Sequence, residues 1–237
     1  MGIFYINTEY TNGNFYLGDI FEITCLSNDS GYIFHSYIKI PSSIPRYIKR
    51  LCNVTDMTIQ NSPSFHEVMN DLIEFISANQ DSSTTTLVGH GAFLSHFPLL
   101  MTNCMKYGYD YRRFETYNFI DSVQVFQRMG YDRPGLDALS NGIRSHSAIE
   151  DVELLRDIVT KTLGHIITNN VYTLDDILQY LNQKLPVSIP ELYNLANEAS
   201  SYQSLEATLR RYSAAKTALS DKQLCKIACK YYYNSLL

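Results

Sequence analysis

The chain opens on an apolar run, Ile3-Phe4-Tyr5-Ile6, that turns polar at Asn7, Thr8 and Glu9. This is the pattern of a buried strand over residues 3–8 that ends in polar residues. Asn12-Gly13-Asn14 is a turn signal. Residues 20–26 and 32–40 read as two further strands joined by a hairpin-like turn at 27–31, and Pro41 and Pro45 end the sheet pattern. Apolar residues at 65, 68, 69, 72, 73 and 76 form a helical stripe. Ser64 is its N-cap, with Glu67 completing a capping box. Residues 86–89 and 117–120 are short strands, the second ending at Asp121, and residues 92–107 between them predict a helix. Short helices follow, with Pro134 near a helix start. A long helix over 147–163 has Ala148, Val152, Leu155, Val159 and Leu163 on one face. Three strands first, then strands alternating with helices, imply an α/β sheet of mixed direction layered by helices.

Beyond Gly164 the pattern is helical throughout. Residues 174–181, 189–199, 204–218 and 221–236 predict four helices, with Thr173 and Ser220 as N-caps and Pro186 and Pro190 separating two of the segments. The expected organisation is a domain over 1–164 followed by a helical C-terminal extension over 165–237.

Composition narrows the function classes. At 237 residues, 45% apolar and 18% charged, the chain has the makeup of a globular protein with a full core. It lacks an apolar run of membrane-spanning length and a basic leader at its N-terminus, so an intracellular protein in the cytoplasm or nucleus, with no membrane partner, is expected. Five scattered cysteines without a CxxC pair support neither a zinc site nor a disulfide framework, and read as free thiols. A net charge of −5 argues against a broad basic nucleic-acid footprint, though not against grip on a strand end. The 19 tyrosines, with no tryptophan and many Asn and Ile residues, fit an AT-rich coding genome, of which viruses are one source.

Candidate chemistry follows from spacing. Side chains at i and i+2 of a strand share a face, so an Asp-x-Glu at a strand end delivers two acids to one place. Two-metal phosphodiester hydrolysis needs several such carboxylates converging on two divalent cations, with a base to activate water. Three stretches of this chain, Ile6-Asn7-Thr8-Glu9, residues 87–100 and His146-Ser147-Ala148-Ile149-Glu150-Asp151, resemble the three sequence blocks of the DEDDh exonucleases in the DnaQ-like superfamily. The resemblance is to the TREX-type and promyelocytic-leukaemia-type domains in particular. It covers about residues 3–163 and includes Gly18-Asp19-Ile20-Phe21-Glu22-Ile23, Val54-Thr55-Asp56-Met57, Leu87-Val88-Gly89-His90 with Phe97-Pro98-Leu99-Leu100, Phe119-Ile120-Asp121-Ser122-Val123 and His146-x-Ala148-x-x-Asp151.

The resemblance implies a ribonuclease H-like (DnaQ-like) fold, with Glu9, His146 and Asp151 at the second acid, the general base and the last acid. The first acid falls on Asn7. The remaining one falls on His96, or on Ser95 under the bacterial spacing. His90 stands where the family often has a His before Asn, and Gly91 replaces that Asn. The site is therefore degenerate, and an inactive binding module is the expectation. Its ligand is a single-stranded nucleic-acid 3′ end or a protein partner, and its cofactor is none, or weakly held Mg or Mn at Glu9 and Asp151. The alternative is an active metal-dependent 3′–5′ exonuclease on DNA or RNA with a rewired site, in which His96 and Glu9 hold a softer metal such as Mn or Zn. A deliberate Asp-to-Asn exchange would explain Asn7 but not His96. A shifted alignment would make Asp121 a hidden acid, though in the resembling families this position is not a metal ligand, and Asp121 is expected to cap or orient its local turn. His146 and Asp151 also make sense as helix-start residues.

Tyr10, Thr11 and His90 are the expected contacts to the terminal nucleotide, by analogy with active relatives. The aromatic residues of 10–15 either stack a base or pack into the sheet edge. Arg46, Lys49 and Arg50, Arg112 and Arg113, and Arg210, Arg211 and Lys216 are cation clusters that touch phosphate or form solvated faces. Lys222, Lys226 and Lys230 make a basic stripe on the last helix, opposite a buried face of Leu224, Ile227 and Ala228.

Overall fold

The computed structural model describes residues 2–80, 84–132, 134–139, 147–162, 171–185, 187–216 and 219–236. His146, Leu163 and Pro186 lie outside the described residues. Strands β1 (Gly2–Tyr10), β2 (Ile20–Ser27) and β3 (Ile33–Tyr37) come first, then helices α1 (Arg46–Leu51), α2 (Asp56–Gln60) and α3 (Phe65–Ala78). Strand β4 (Thr85–Gly89), helix α4 (His96–Tyr107), strand β5 (Asn118–Asp121) and helices α5 (Ser122–Arg128), α6 (Leu136–Leu139) and α7 (Ala148–Thr162) follow. The C-terminal region contains α8 (Leu174–Lys184), α9 (Ile189–Glu198), α10 (Tyr202–Lys216) and α11 (Asp221–Asn234).

The sheet order is β3-β2-β1-β4-β5. β1 pairs antiparallel with β2 and β2 with β3, while β1–β4 and β4–β5 are parallel. β1 is thus the central strand, and alternation along it feeds two cores. Phe4 and Ile6 point into a large cluster with α3, α4 and the C-terminal helices, where Leu99, Ile177, Leu192 and Tyr231 also reside. Tyr5 points the other way, into a smaller cluster with Val88, Ile120, Phe126, Val152 and Leu155. The C-terminal helices share the larger core with the sheet. Their segment also reaches the sheet directly, where Tyr172 bridges Phe119 of β5 through N–H···O bonds of 2.9 and 2.8 Å. Among the described residues no helix is long and apolar enough to cross a membrane.

Several helix starts follow their predicted chemistry. Ser64, Thr173 and Ser220 each cap a helix in a full capping box. Other details differ from the sequence reading. The predicted helix over 92–107 is a 3₁₀ turn, Ala92–Leu94, followed by α4, with a break at Ser95. The third strand stops at Tyr37, although Ile38 still donates to Phe21. Pro190 sits inside the first turn of α9, where its missing N–H costs nothing, and does not separate segments. Leu224, Ile227 and Ala228 are buried as expected, but the lysine stripe is split: Lys222 and Lys226 are exposed while Lys230 turns inward.

Candidate functional site

Alternation along β1 puts Asn7 and Glu9 on the face that α7 covers. In the antiparallel register Glu9 stands directly opposite Glu22 of β2, and Asn7 opposite Thr24. Asp151, in the first turn of α7, is buried at 4% exposure, and its N–H donates to the Ser147 carbonyl at 2.9 Å. Glu9 is half-buried. Asn7 Nδ2 donates to Glu9 Oε1 at 3.3 Å, and Cys52 Sγ–H donates to Glu9 Oε2 at 3.6 Å. Burial pushes the Glu9 carboxyl above its ordinary range and the charges of Glu22 and Asp151 push it further, against the lowering effect of the Asn7 and Cys52 hydrogen bonds. The Cys52 thiol is pushed up to about 12, first by burial and then by the charge of Glu9, so it stays protonated and remains a donor.

The cleft beside this group has a volume of about 360 Å³ and is lined by Glu22, Tyr37, Leu51, Cys52, Ser147 and Glu150, among others. Glu22 accepts from His35 Nε2 at 2.8 Å. Two members of the site, Glu22 and Cys52, were missed in the sequence. Glu22 could have been found, because register pairs it with Glu9 once the strand spacing is known. Cys52 follows a short helix that no periodicity announces, and nothing local marks it.

His96 is placed differently. Its Nδ1 lies 2.9 Å from Thr8 Oγ1, on the strand position whose side chain alternates away from Asn7 and Glu9, and its ring meets Tyr10 edge-on at 6.0 Å. Thr8 is buried. The structure therefore brings Asn7, Glu9 and Asp151 to one face and engages His96 with Thr8 and Tyr10. Ser95 Oγ donates to the Gly91 carbonyl at 2.7 Å. His90 Nδ1 lies 2.8 Å from Ser122 Oγ.

Asp121 organises this turn. Its carboxylate accepts from the backbone N–H groups of Gly91, Phe93 and Val123 at 2.8, 3.1 and 3.0 Å, and it caps α5. This is the capping role read from the sequence. Gly91 adopts φ +63, a left-handed conformation that suits Gly and Asn alike. A glycine there keeps the turn without the amide side chain expected from the resemblance.

Thr11 is buried and its Oγ accepts from the Asp19 N–H at 3.0 Å. Tyr10 is half-buried, and Phe15 packs edge-on against Tyr180 of α8. On α1, Arg46, Tyr47, Arg50 and Leu51 are exposed beside the cleft. Among the described residues, no group of three or more His, Cys, Asp and Glu side chains is arranged to hold a metal ion.

No family model matches the chain. Among curated proteins it is similar to the DNA polymerase III subunit epsilon of Rickettsia conorii, 26% identical over 151 residues, which are 57% of this chain and 60% of that relative's length. Among solved structures it is similar to the nuclease domain of 3′hExo, a DEDDh family member bound to rAMP, with a TM-score of 0.60 and 16% identity over 72% of this chain and 96% of that one. It is also similar to a 3′-exonuclease described as recognising the 3′ end of histone mRNA stem-loop, with a TM-score of 0.59 and 15% identity over 73% of this chain and 70% of that one. The five-stranded mixed sheet, its helical layers and these likenesses agree: the chain has the ribonuclease H-like fold of the DnaQ-like DEDDh 3′–5′ exonuclease superfamily.

Proposed function

We propose that this chain is an exonuclease-fold protein, nearest in its motifs to the TREX-type and promyelocytic-leukaemia-type domains, that has lost two-metal hydrolysis and uses its cleft to hold a single-stranded nucleic-acid 3′ end. The observation that carries this reading is the state of Glu9. Both of its carboxylate oxygens take hydrogen bonds from neutral donors, the Asn7 amide and the Cys52 thiol. A carboxylate at position 7 would leave Glu9 an acceptor facing a second negative charge, which a divalent cation resolves. An amide there resolves it without a cation and supplies no ligand charge. The donor set does not fit a two-metal centre: Glu9 and Asp151 are the acids left at the family positions, and His96 is engaged with Thr8. Metal ions contribute several kcal/mol to such reactions, and losing ~4 kcal/mol costs roughly a thousandfold in rate.

Binding of a strand end is supported by the rim. Tyr10 offers a ring beside the site, and α1 presents Tyr47 and Leu51 together with Arg46 and Arg50, an alternation of stacking surface and cation suited to single strands. One structural relative is itself described as a 3′-end recognition protein. A protein ligand is the second reading, favoured by the exposed apolar side chains of Tyr47, Leu51 and Met57 on α1 and α2.

The test follows degradation of 3′-labelled single-stranded DNA and RNA with Mg²⁺ or Mn²⁺. The native chain should bind the labelled strand and leave it intact. Asn7→Asp with His96→Asp, or with Ser95→Asp for the alternative spacing, should gain cleavage of roughly a thousandfold. Cleavage by the native chain that Glu9→Ala with Asp151→Ala removes would instead establish a rewired exonuclease.

A further inference from the structure

The loop that follows Glu9, Tyr10 and Thr11 is not held by the sheet alone. Its last residue, Asp19, is buried at 1% exposure, yet four side chains from three other parts of the chain converge on it. Ser42 Oγ donates to its Oδ2 at 2.5 Å, and Tyr107 OH donates to Oδ1 at 3.2 Å. Lys230 Nζ, from α11, donates to Oδ2 at 3.1 Å and to the Leu17 carbonyl at 3.4 Å. Lys106 Nζ stands 3.8 Å from Oδ1 and also donates to the Gly18 carbonyl. The backbone closes the other side, because Asp19 N–H donates to Thr11 Oγ1 and Thr11 N–H to the Asp19 carbonyl, both at 3.0 Å.

The rest of the loop is tied the same way. Val187 N–H donates to Tyr16 OH at 3.0 Å, the Tyr16 hydroxyl donates to the Val187 carbonyl, and Tyr231 OH donates to the Tyr16 carbonyl at 3.0 Å. Gly18 is required for this closure: a Cβ there would sit 2.0 Å from the Asn12 carbonyl oxygen. An unbroken set of contacts therefore runs from α11 through Asp19 to Thr11, one residue from the Tyr10 ring that meets His96.

We infer that Asp19 is a positioning residue that clamps the β1–β2 loop to α11, so that the C-terminal helices set the rim of the candidate cleft. Three features favour a clamp over simple packing. The carboxylate is charged and buried, so it needs cations at a fixed place. It is shared by elements far apart in sequence. Its closest cation is Lys230, whose Nζ reaches both carboxylate oxygens, at 3.1 and 3.4 Å, while Lys106 Nζ stands at 3.8 Å. The consequence for ligand contact rests on the nucleic-acid reading above, but the clamp itself is measured without nucleic acid.

The test is amide hydrogen exchange of the full chain under mild denaturant. In the native protein, residues 10–19 and α11 should open as one unit, with the same exchange free energy and the same denaturant slope. Opening of α11 while residues 10–19 stay protected would overturn the clamp. Lys230→Met should raise exchange in residues 10–19 at least tenfold with β4 and α4 unchanged, and Lys230→Arg should restore protection. Exchange confined to α11 in Lys230→Met, or failure of the arginine to rescue, would reduce Lys230 to an anchor of its own helix. If Lys230→Met does not fold, the native-state measurement decides. Binding of a labelled oligonucleotide is then a separate readout: its absence in the native chain would end the strand-end reading and leave the clamp standing.

Discussion

Asp19 and Glu9 flank the same loop, and both are carboxylates withdrawn from water, but their surroundings are opposite. Asp19 has two lysines and two hydroxyls around it. Burial raises its pKa, yet the Lys106 and Lys230 charges and the Ser42 hydrogen bond outweigh that and hold the carboxyl below its usual range. Glu9 has an amide, a thiol and two further acids, and its carboxyl is held above the usual range. The first environment is built to keep a charge in place. The second tolerates a charge that nothing cationic among these partners offsets. Buried ionisable groups that work against their own charge cluster at functional sites, so the contrast separates an acid that holds the fold from an acid at the candidate site.

The comparison breaks most easily at Asp19. Asp19→Ala leaves buried lysine without its counter-charge and should cost about 3–5 kcal/mol of stability, the usual price of orphaning a buried ionic partner. Urea denaturation at pH 7 would measure it, and a loss under 1 kcal/mol would mean that the network is incidental. Lys106 gives a subtler handle. Its folded pKa, about 7, lies below the ordinary 10.5, so across that window the unfolded chain holds a proton that the folded chain lacks. By linkage, this group's contribution to stability rises with pH from about 7 toward 10.5 and is flat below 7. The slope of unfolding free energy between pH 7 and 8.5 should be more positive in the native chain than in Lys106→Met; equal slopes would show that Lys106 keeps its proton.

Glu9→Gln is the smallest and most telling change. An acid whose folded pKa is raised loses stability as pH rises from the unfolded value of 4.5 through the folded one. The amide should therefore melt higher than the native chain at pH 7, with the difference vanishing near pH 4. A lower melting point at pH 7 would mean that Glu9 is a structural acid like Asp19, and the contrast would collapse.

The sequence made some of this visible and hid the rest for physical reasons. The strand that carries Asn7 and Glu9, the capping box of Ser64 and Glu67, and the capping role of Asp121 all rest on local chemistry and were legible. So was the conjunction of Glu9 with Asp151, through the motif order, and the charge of Asp151 does reach Glu9. Glu22, Cys52 and the Asp19 network were not, because each depends on partners brought together by register or by helix docking. Helices α1 and α2, of six and five residues, are too short to show a period. Lys230 looked like part of a solvated stripe because a helical wheel cannot show that an aspartate on another element waits beneath it.

The bridge between Phe119 and Tyr172 bears on how copies of the chain coexist. A strand at the margin of a sheet offers unpaired N–H and C=O groups, a template on which a second chain can add and seed aggregation. β5 is such a marginal strand, only four residues long, and at Phe119 both backbone groups are already taken by Tyr172. The segment that leads into the C-terminal helices thus acts as a selvedge, finishing the woven border so that it does not catch on its neighbour.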